Sequence, residues 1–206
     1  MPITIRRVIC GLIQENCYIV RADGRDDCVV VDPGDEFPKL KAAIGDSRVG
    51  AVLLTHGHFD HIMAAGEVAR AWGAPVYVGA GDAEMLGDIT KSDYTGMLGI
   101  DRADWTPIDA APFGEALSVC GMDFAILPTP GHSRGSVCLY LEGEGALFSG
   151  DTLFRAGYGR LDLYGGKMGD MVRSLKKLFT LPDGVKVYPG HGEATTIGEE
   201  RARYRL

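Results

Sequence analysis

The chain has 206 residues, with 28 acidic and 21 basic side chains and a formal charge of −7. That length suits one compact domain spanning residues 1–206, and the acidic balance argues against a nucleic-acid surface, which needs a basic stripe to offset phosphate charge. No apolar run approaches the roughly 20 residues that cross a bilayer.

Hydrophobic residues make up 46% and charged residues 24%, a globular composition. The opening stretch MPITIRRVICGLIQENCYIV is broken by Gln14, Glu15 and Asn16 and carries no secretory pattern, so a cytoplasmic location is expected. The five cysteines are odd in number and form no C-x-x-C pair, which reads as buried, reduced thiols and not as a disulfide framework.

In chain order, ITIRRVI, NCYIVRA and CVVVDPG read as three short strands in a meander. KLKAAIG has helical spacing, AVLLT is an apolar strand, and residues 61–72 repeat apolar positions at Ile62, Ala65, Val68, Ala69 and Trp72, the pattern of one helix with a buried face. PVYVG is a further strand and AGDAEMLG a short helix, while residues 88–107 lose periodicity and read as an irregular excursion. Beyond it MDFAILPTPG, SVCLYLE and GALFSGD read as strands, MGDMVRSLKKLF as a helix, VKVYPGHG as a strand and GEERARYR as a closing helix. Two packed sheets with helices outside account for this order.

Four apolar runs each end, through Thr, Pro, Ser or Gly, on a residue able to bind metal: AVLLT on His56, ILPTPG on His132, ALFSG on Asp151 and VKVYPG on His191. The first continues as THGHFDH, which packs His56, His58, Asp60 and His61 into six residues between strand and helix. An isolated histidine is usually a core or surface residue, but here all five histidines fall at strand ends or in one dense cluster. Imidazole and carboxylate suit zinc, iron or manganese. Seven ligands are too many for one tetrahedral ion and fit two divalent ions sharing one carboxylate, with zinc expected and iron or manganese as alternatives.

With GLIQENCYIV, VVVDPGD, THGHFDH, TPGHSRGSV, SGDTLFRAGYGRLDL and YPGHGEATTIGEE in this order, the chain resembles the metallo-β-lactamase superfamily, specifically its single-domain glyoxalase II-like (hydroxyacylglutathione hydrolase-like) branch. The resemblance implies an α/β fold, an αββα sandwich of two mixed sheets with helices outside. It implies that His56, His58 and His132 hold one metal, Asp60, His61 and His191 the other, and Asp151 bridges. The flavodiiron branch has Glu at the position of His58 and class B1 β-lactamases have Arg at that of His61, so neither pattern matches.

The activity implied is thioester hydrolysis by a metal-bridging hydroxide, with Asp60 orienting it, on S-lactoylglutathione or a related small thioester. Glyoxalase II enzymes bind glutathione with a basic residue and a Tyr after a Gly-rich turn, a Tyr after the last metal histidine, and a C-terminal helical domain. Here Arg160 matches the basic residue, Asp162 and Glu193 stand where the tyrosines would be, and no such domain is expected. Arg155, Tyr158 and Arg160 are candidate substrate-binding residues, with Lys167 beside them; the alternative, and the favoured one, is that Arg160 and Asp162, or Arg155 and a sheet-edge acid, simply pair to pin the turn. Tyr158 either lines the pocket mouth or is an exposed turn aromatic. Asp32 either hydrogen-bonds a ligand histidine or, the favoured reading, caps the following turn, and Tyr94, Met97 and Trp105 form either an apolar lid or core packing. Two other activities compete: a mononuclear-iron persulfide dioxygenase using His56, His132 and Asp151, and a lactonase or other carboxyl-ester hydrolase. The expected partner is a small-molecule thioester, with no nucleic acid and no membrane; oligomeric state is not legible.

Overall fold

The computed structural model describes residues 2–204, with the side chain of residue 102 excepted. Its first sheet runs in sequence order through β1 (Ile3–Cys10), β2 (Glu15–Ala22), β3 (Asp27–Val31), β4 (Arg48–Leu53), β5 (Val76–Val78) and β6 (Ala111–Pro112). The first three strands form the expected antiparallel meander, and β3 to β6 are parallel. Parallel neighbours require crossovers. These are α1 (Phe37–Ile44), the pair α2 (Phe59–Ile62) and α3 (Ala65–Trp72), and the pair α4 (Ala83–Gly87) and α5 (Ile89–Ser92).

The second sheet contains β7 (Ala116–Val119), β8 (Met122–Pro128), β9 (Val137–Leu141), β10 (Ala146–Gly150), β11 (Lys186–Pro189) and β12 (Thr195–Thr196), again in sequence order across the sheet. Its neighbours are antiparallel except β10 and β11, which are joined through α6 (Met168–Leu178). The final helix α7 covers Ile197–Arg203, and position 205 of the predicted closing helix lies outside the described residues.

Alternation along the strands builds three apolar layers. On β2 and β3, Cys17, Ile19, Cys28 and Val30 face Leu40 and Ile44 of α1 and Val68 of α3. Their neighbours Tyr18, Val20, Val29 and Val31 face Phe124, Leu139 and Phe148 of the second sheet. Beyond that sheet, Cys138 and Leu147 meet Met171, Leu175 and Leu178 of α6. Strands buried on both faces read as continuous apolar runs, which is why CVVVD and ALFSG carry no polar alternation. Phe124 and Phe148 are fully enclosed between the sheets, and truncating either to Ala would cost about 3–5 kcal/mol.

The helix expected over 61–72 is broken. The Ala64 amide donates to the Pro33 carbonyl at 3.0 Å, leaving the helical ladder, and Gly34 packs so closely that a Cβ there would lie 1.8 Å from the Asp60 carbonyl oxygen. Tertiary contact with the turn after β3 therefore splits a continuous apolar periodicity into α2 and α3. The excursion at 88–107 is not wholly irregular, since it contains α5 and a single 3-10 turn at Arg102–Asp104. Among the described residues no helix is long and apolar enough to cross a membrane.

Candidate metal centre

All the strands that lead into the histidines finish at one edge of the sandwich. The C-terminal ends of β4, β8, β10 and β11 deliver His56, His132, Asp151 and His191, and α2 begins just beyond β4 with His58 at its N-cap and Asp60 and His61 in its single turn. The seven predicted residues converge there. His56, His58 and His132 form one cluster and Asp60, His61 and His191 a second, with ligand atoms in each within 4.8 Å of one another. Asp151 stands between them, with Oδ1 3.4 Å from His61 Nε2 and Oδ2 3.4 Å from His132 Nε2.

Hydrogen bonds aim the rings. The Thr55 hydroxyl donates to Asp32 Oδ2 at 2.6 Å, so at 3.1 Å it is left to accept from His56 Nδ1. Asp32 Oδ2 also accepts from His61 Nδ1 at 3.0 Å, and the Arg160 carbonyl accepts from His132 Nδ1 at 2.6 Å. Because each Nδ1 is committed as a donor to these acceptors, Nε2 is the nitrogen these three rings turn inward, the one a metal would take. Burial opposes charge on His61, yet Asp60, Asp151 and Asp32 hold it well above its ordinary range, so there a metal would displace a proton. Asp32 thus orients His61, contrary to the turn-capping role favoured above. Its backbone at φ 48° swings the carboxylate back toward β4, where it also accepts from the Thr55 amide.

The donor set fits cations on its own chemistry. His56 Nε2, His61 Nε2 and Asp151 Oδ1 are buried without a hydrogen-bond partner, an arrangement that is unfavourable unless something positive sits among them. His58 Nδ1 and His132 Nε2 face each other at 2.7 Å, where two nitrogen lone pairs need a proton or a cation between them. Burial, reinforced by the neighbouring histidines, holds His56 well below its ordinary range. Burial and His132 bring His58 down to about 3, so both rings are neutral. Burial opposes charge on Asp60, yet His61 and His191 hold it ionised, well below the usual carboxylate range. The two clusters could therefore hold two metal ions.

Two glycines are dictated by crowding. A Cβ on Gly190 would lie 2.3 Å from Asp151 Oδ1 and 2.6 Å from His61 Cε1. Gly150, at φ 48°, would meet Thr55 Oγ1 at 2.2 Å.

Other buried groups hold the ligand loops in place. Asp82 accepts from the Gly57 amide (3.0 Å), the Gly135 amide (2.6 Å) and the Ser133 hydroxyl (2.5 Å), tying the loop of His56 and His58 to that of His132. Asn16 Nδ2 donates to the Pro189 and Gly192 carbonyls and Tyr18 donates to Pro189, fixing the backbone on both sides of His191. Glu15 is 1% exposed, with both carboxyl oxygens unpartnered and Oε1 3.8 Å from His61 Nδ1; burial holds it well above the usual carboxylate range. Sequence reasoning missed Asp82, the burial of Glu15 and the roles of Asn16 and Tyr18, which carry no ligand-like spacing. The weak available signal was ENCY, a polar pair opening an apolar strand.

A cavity of about 360 Å³ opens over the clusters. Arg160 lines it, in a two-pronged pair with Asp162 (2.7 Å for each bond), as the alternative reading held. Arg155 and Tyr158 do not line it. Phe154 and Gly157 pair across a tight turn that presents Phe154 to the cavity and His191, leaving Arg155 exposed, and the Tyr158 ring leans on Tyr204. Tyr94 and Met97 do line the cavity, whereas Trp105 packs on the core of the first sheet and donates to the Leu86 carbonyl.

The model of the metallo-β-lactamase superfamily matches residues 10–191. Among solved structures, the BLEG-1 B3 metallo-β-lactamase superposes with a TM-score of 0.90 at 34% identity, over 97% of each chain. TTHA1623, solved in a di-iron-bound form, does so with a TM-score of 0.83 at 37% identity, over 95% of this chain and 96% of its own. The hydroxyacylglutathione hydrolase GloC of Haemophilus influenzae is 31% identical over 193 residues, 91% of this chain and 90% of that protein. With the family model covering most of the chain and the same architecture in these relatives, the chain belongs to the metallo-β-lactamase superfamily.

Proposed function

We propose that the chain, a metallohydrolase of this superfamily, is a binuclear thioesterase of glyoxalase II type that cleaves small acyl-thiol esters. The observation that carries this reading is the paired donor set: two triads with Asp151 between them, the rings of His56, His61 and His132 each turned by a hydrogen bond at Nδ1 so that Nε2 faces inward. His56, His58 and His132 would hold one ion, Asp60, His61 and His191 the other, and Asp151 would bridge. Two such ions supply a hydroxide at neutral pH and polarise a carbonyl oxygen.

The protein's own groups do the rest. Asp60, which lines the cavity at the second triad, orients the attacking water. Phe59, Phe154 and Leu163 exclude bulk water, which strengthens every electrostatic interaction at the centre. A thiol with a pKa near 8.5 departs as thiolate without needing a proton, so thioester cleavage does not demand a dedicated acid in this largely apolar wall. Similarity to GloC supports the thioester, and the di-iron relative supports two ions with iron as an alternative to zinc.

The test is a substrate panel on protein purified without added metal: S-lactoylglutathione, a simple lactone, a β-lactam, and glutathione persulfide with an oxygen electrode. Hydrolysis of the thioester at least tenfold faster than of the lactone or β-lactam is expected. Oxygen consumption on the persulfide with one iron per chain and no thioester turnover would refute the proposal.

A further inference from the structure

Seven large hydrophobic side chains are exposed among the described residues, and three of them, Ile13, Tyr94 and Met97, line the one cavity above the metal centre. Leu12, the chain neighbour of Ile13, is also exposed. Inside, Phe59, Phe154 and Leu163 continue the same surface. Clustering of exposed apolar residues at a concave site marks a binding surface, where scattered ones would mean nothing.

Charge recognition is weak by comparison. Arg160 is the one lining residue of fixed positive charge among those described, and its Nε and Nη2 already donate to Asp162. Asp162 offsets that charge, and a substrate carboxylate is left only the remaining Nη hydrogens of a side chain 56% exposed, where an ion pair in water contributes little. Lys91, next to the lining Ser92, is bound to Glu84, and Arg134 lies 3.9 Å from the same Glu84. Both cations also sit 5.4 Å from the Tyr164 ring centre.

We infer that the site selects thioesters by an apolar acyl group, a short alkyl chain or aryl ring, lodged against Ile13, Phe59, Tyr94, Met97, Phe154 and Leu163, and does not read the carboxylates of a glutathione-like thiol. This rests on the thioesterase reading for its chemistry but not for its binding geometry. Each buried methylene should tighten binding roughly fourfold, while exchanging a neutral thiol moiety for a doubly carboxylated one should change it little.

Inert thioethers separate the two ideas. Calorimetry on the metal-loaded protein would compare S-methyl with S-hexyl derivatives of both N-acetylcysteamine and glutathione, beside turnover of the corresponding acetyl and hexanoyl thioesters. The expected result is at least tenfold tighter binding of hexyl over methyl on either thiol, with the two thiols within about threefold of each other. Met97→Gln, at a residue exposed enough to spare the fold, should reduce the hexyl preference severalfold. Asp162→Asn should release Arg160 and raise affinity for the glutathione derivatives alone. If glutathione derivatives bind tenfold better whatever the alkyl group, the apolar selection is overturned while the thioesterase reading stands. If the alkyl preference holds but no thioester is cleaved, the thioesterase reading falls and the apolar selection stands.

Discussion

Replacing Asp82 by Asn asks whether one buried carboxylate holds the two histidine loops in register. Its two oxygens accept from the Gly57 amide, the Gly135 amide and the Ser133 hydroxyl, all enclosed. Ser133 retains Ser136 as a second partner at 2.6 Å, so the hydroxyl survives the change. An Asn offers one acceptor oxygen, and its amide must then face either Gly57 or Gly135, leaving one buried N–H without a partner. That costs about 1–3 kcal/mol, or a fall in Tm of roughly 2–12 °C for a protein of this size. Gly57 lies between His56 and His58, and Ser133 follows His132, so the same change spreads the first triad. Its metal should be held some 10–100-fold more weakly, the usual effect of losing a group that supports ligands. Differential scanning calorimetry and competition with a chromophoric chelator read the two effects separately. A variant with unchanged Tm and unchanged metal affinity would refute the tethering argument.

Thr55→Val removes the hydroxyl that accepts from His56 and donates to Asp32, with almost no change in volume; chelator competition should show metal affinity reduced roughly tenfold or more. Gly190→Ala should abolish metal binding while far-UV circular dichroism stays native, because the new methyl falls on Asp151 and His61 and not on the core. Stripping the metal with a chelator should lower Tm, since an ion at 100 times its Kd stabilises by about 2.7 kcal/mol; re-addition should restore both Tm and turnover. All five cysteines are buried, and burial raises the thiols of Cys10 to about 12 and of Cys28 and Cys138 to about 11. A thiol reagent at pH 8 should therefore modify none in the native protein and all five after denaturation.

The parts of this molecule that could be read from sequence are those where chemistry and periodicity coincide. An apolar run that stops on a histidine or an aspartate advertises a strand tip with a functional residue on it, and four such runs placed His56, His132, Asp151 and His191 at one edge. What was hidden depended on partners distant in the chain. Asp82 sits in a short polar stretch that looks like any helix start, and its meaning appears only when residues 25 and 53 positions away donate to it. The break at Ala64 comes from the Pro33 carbonyl, which no local pattern announces. The strand β7 was missed because ALSV is brief and half exposed, held by its pairing with β8 more than by its own pattern. Arg155 drew notice as a charge in a Gly-rich turn, yet the geometry of that turn favours its neighbour Phe154.

The central claim is that this donor set holds two ions and that hydrolysis depends on them. Elemental analysis of the protein, paired with S-lactoylglutathione turnover, tests it most directly when wild type is set beside Asp151→Ala. Two ions per chain with turnover are predicted for the wild type, and loss of both from the variant, whose fold should persist because Asp151 lies outside the three apolar layers. Full hydrolysis by the variant, or by protein without metal, would contradict the account.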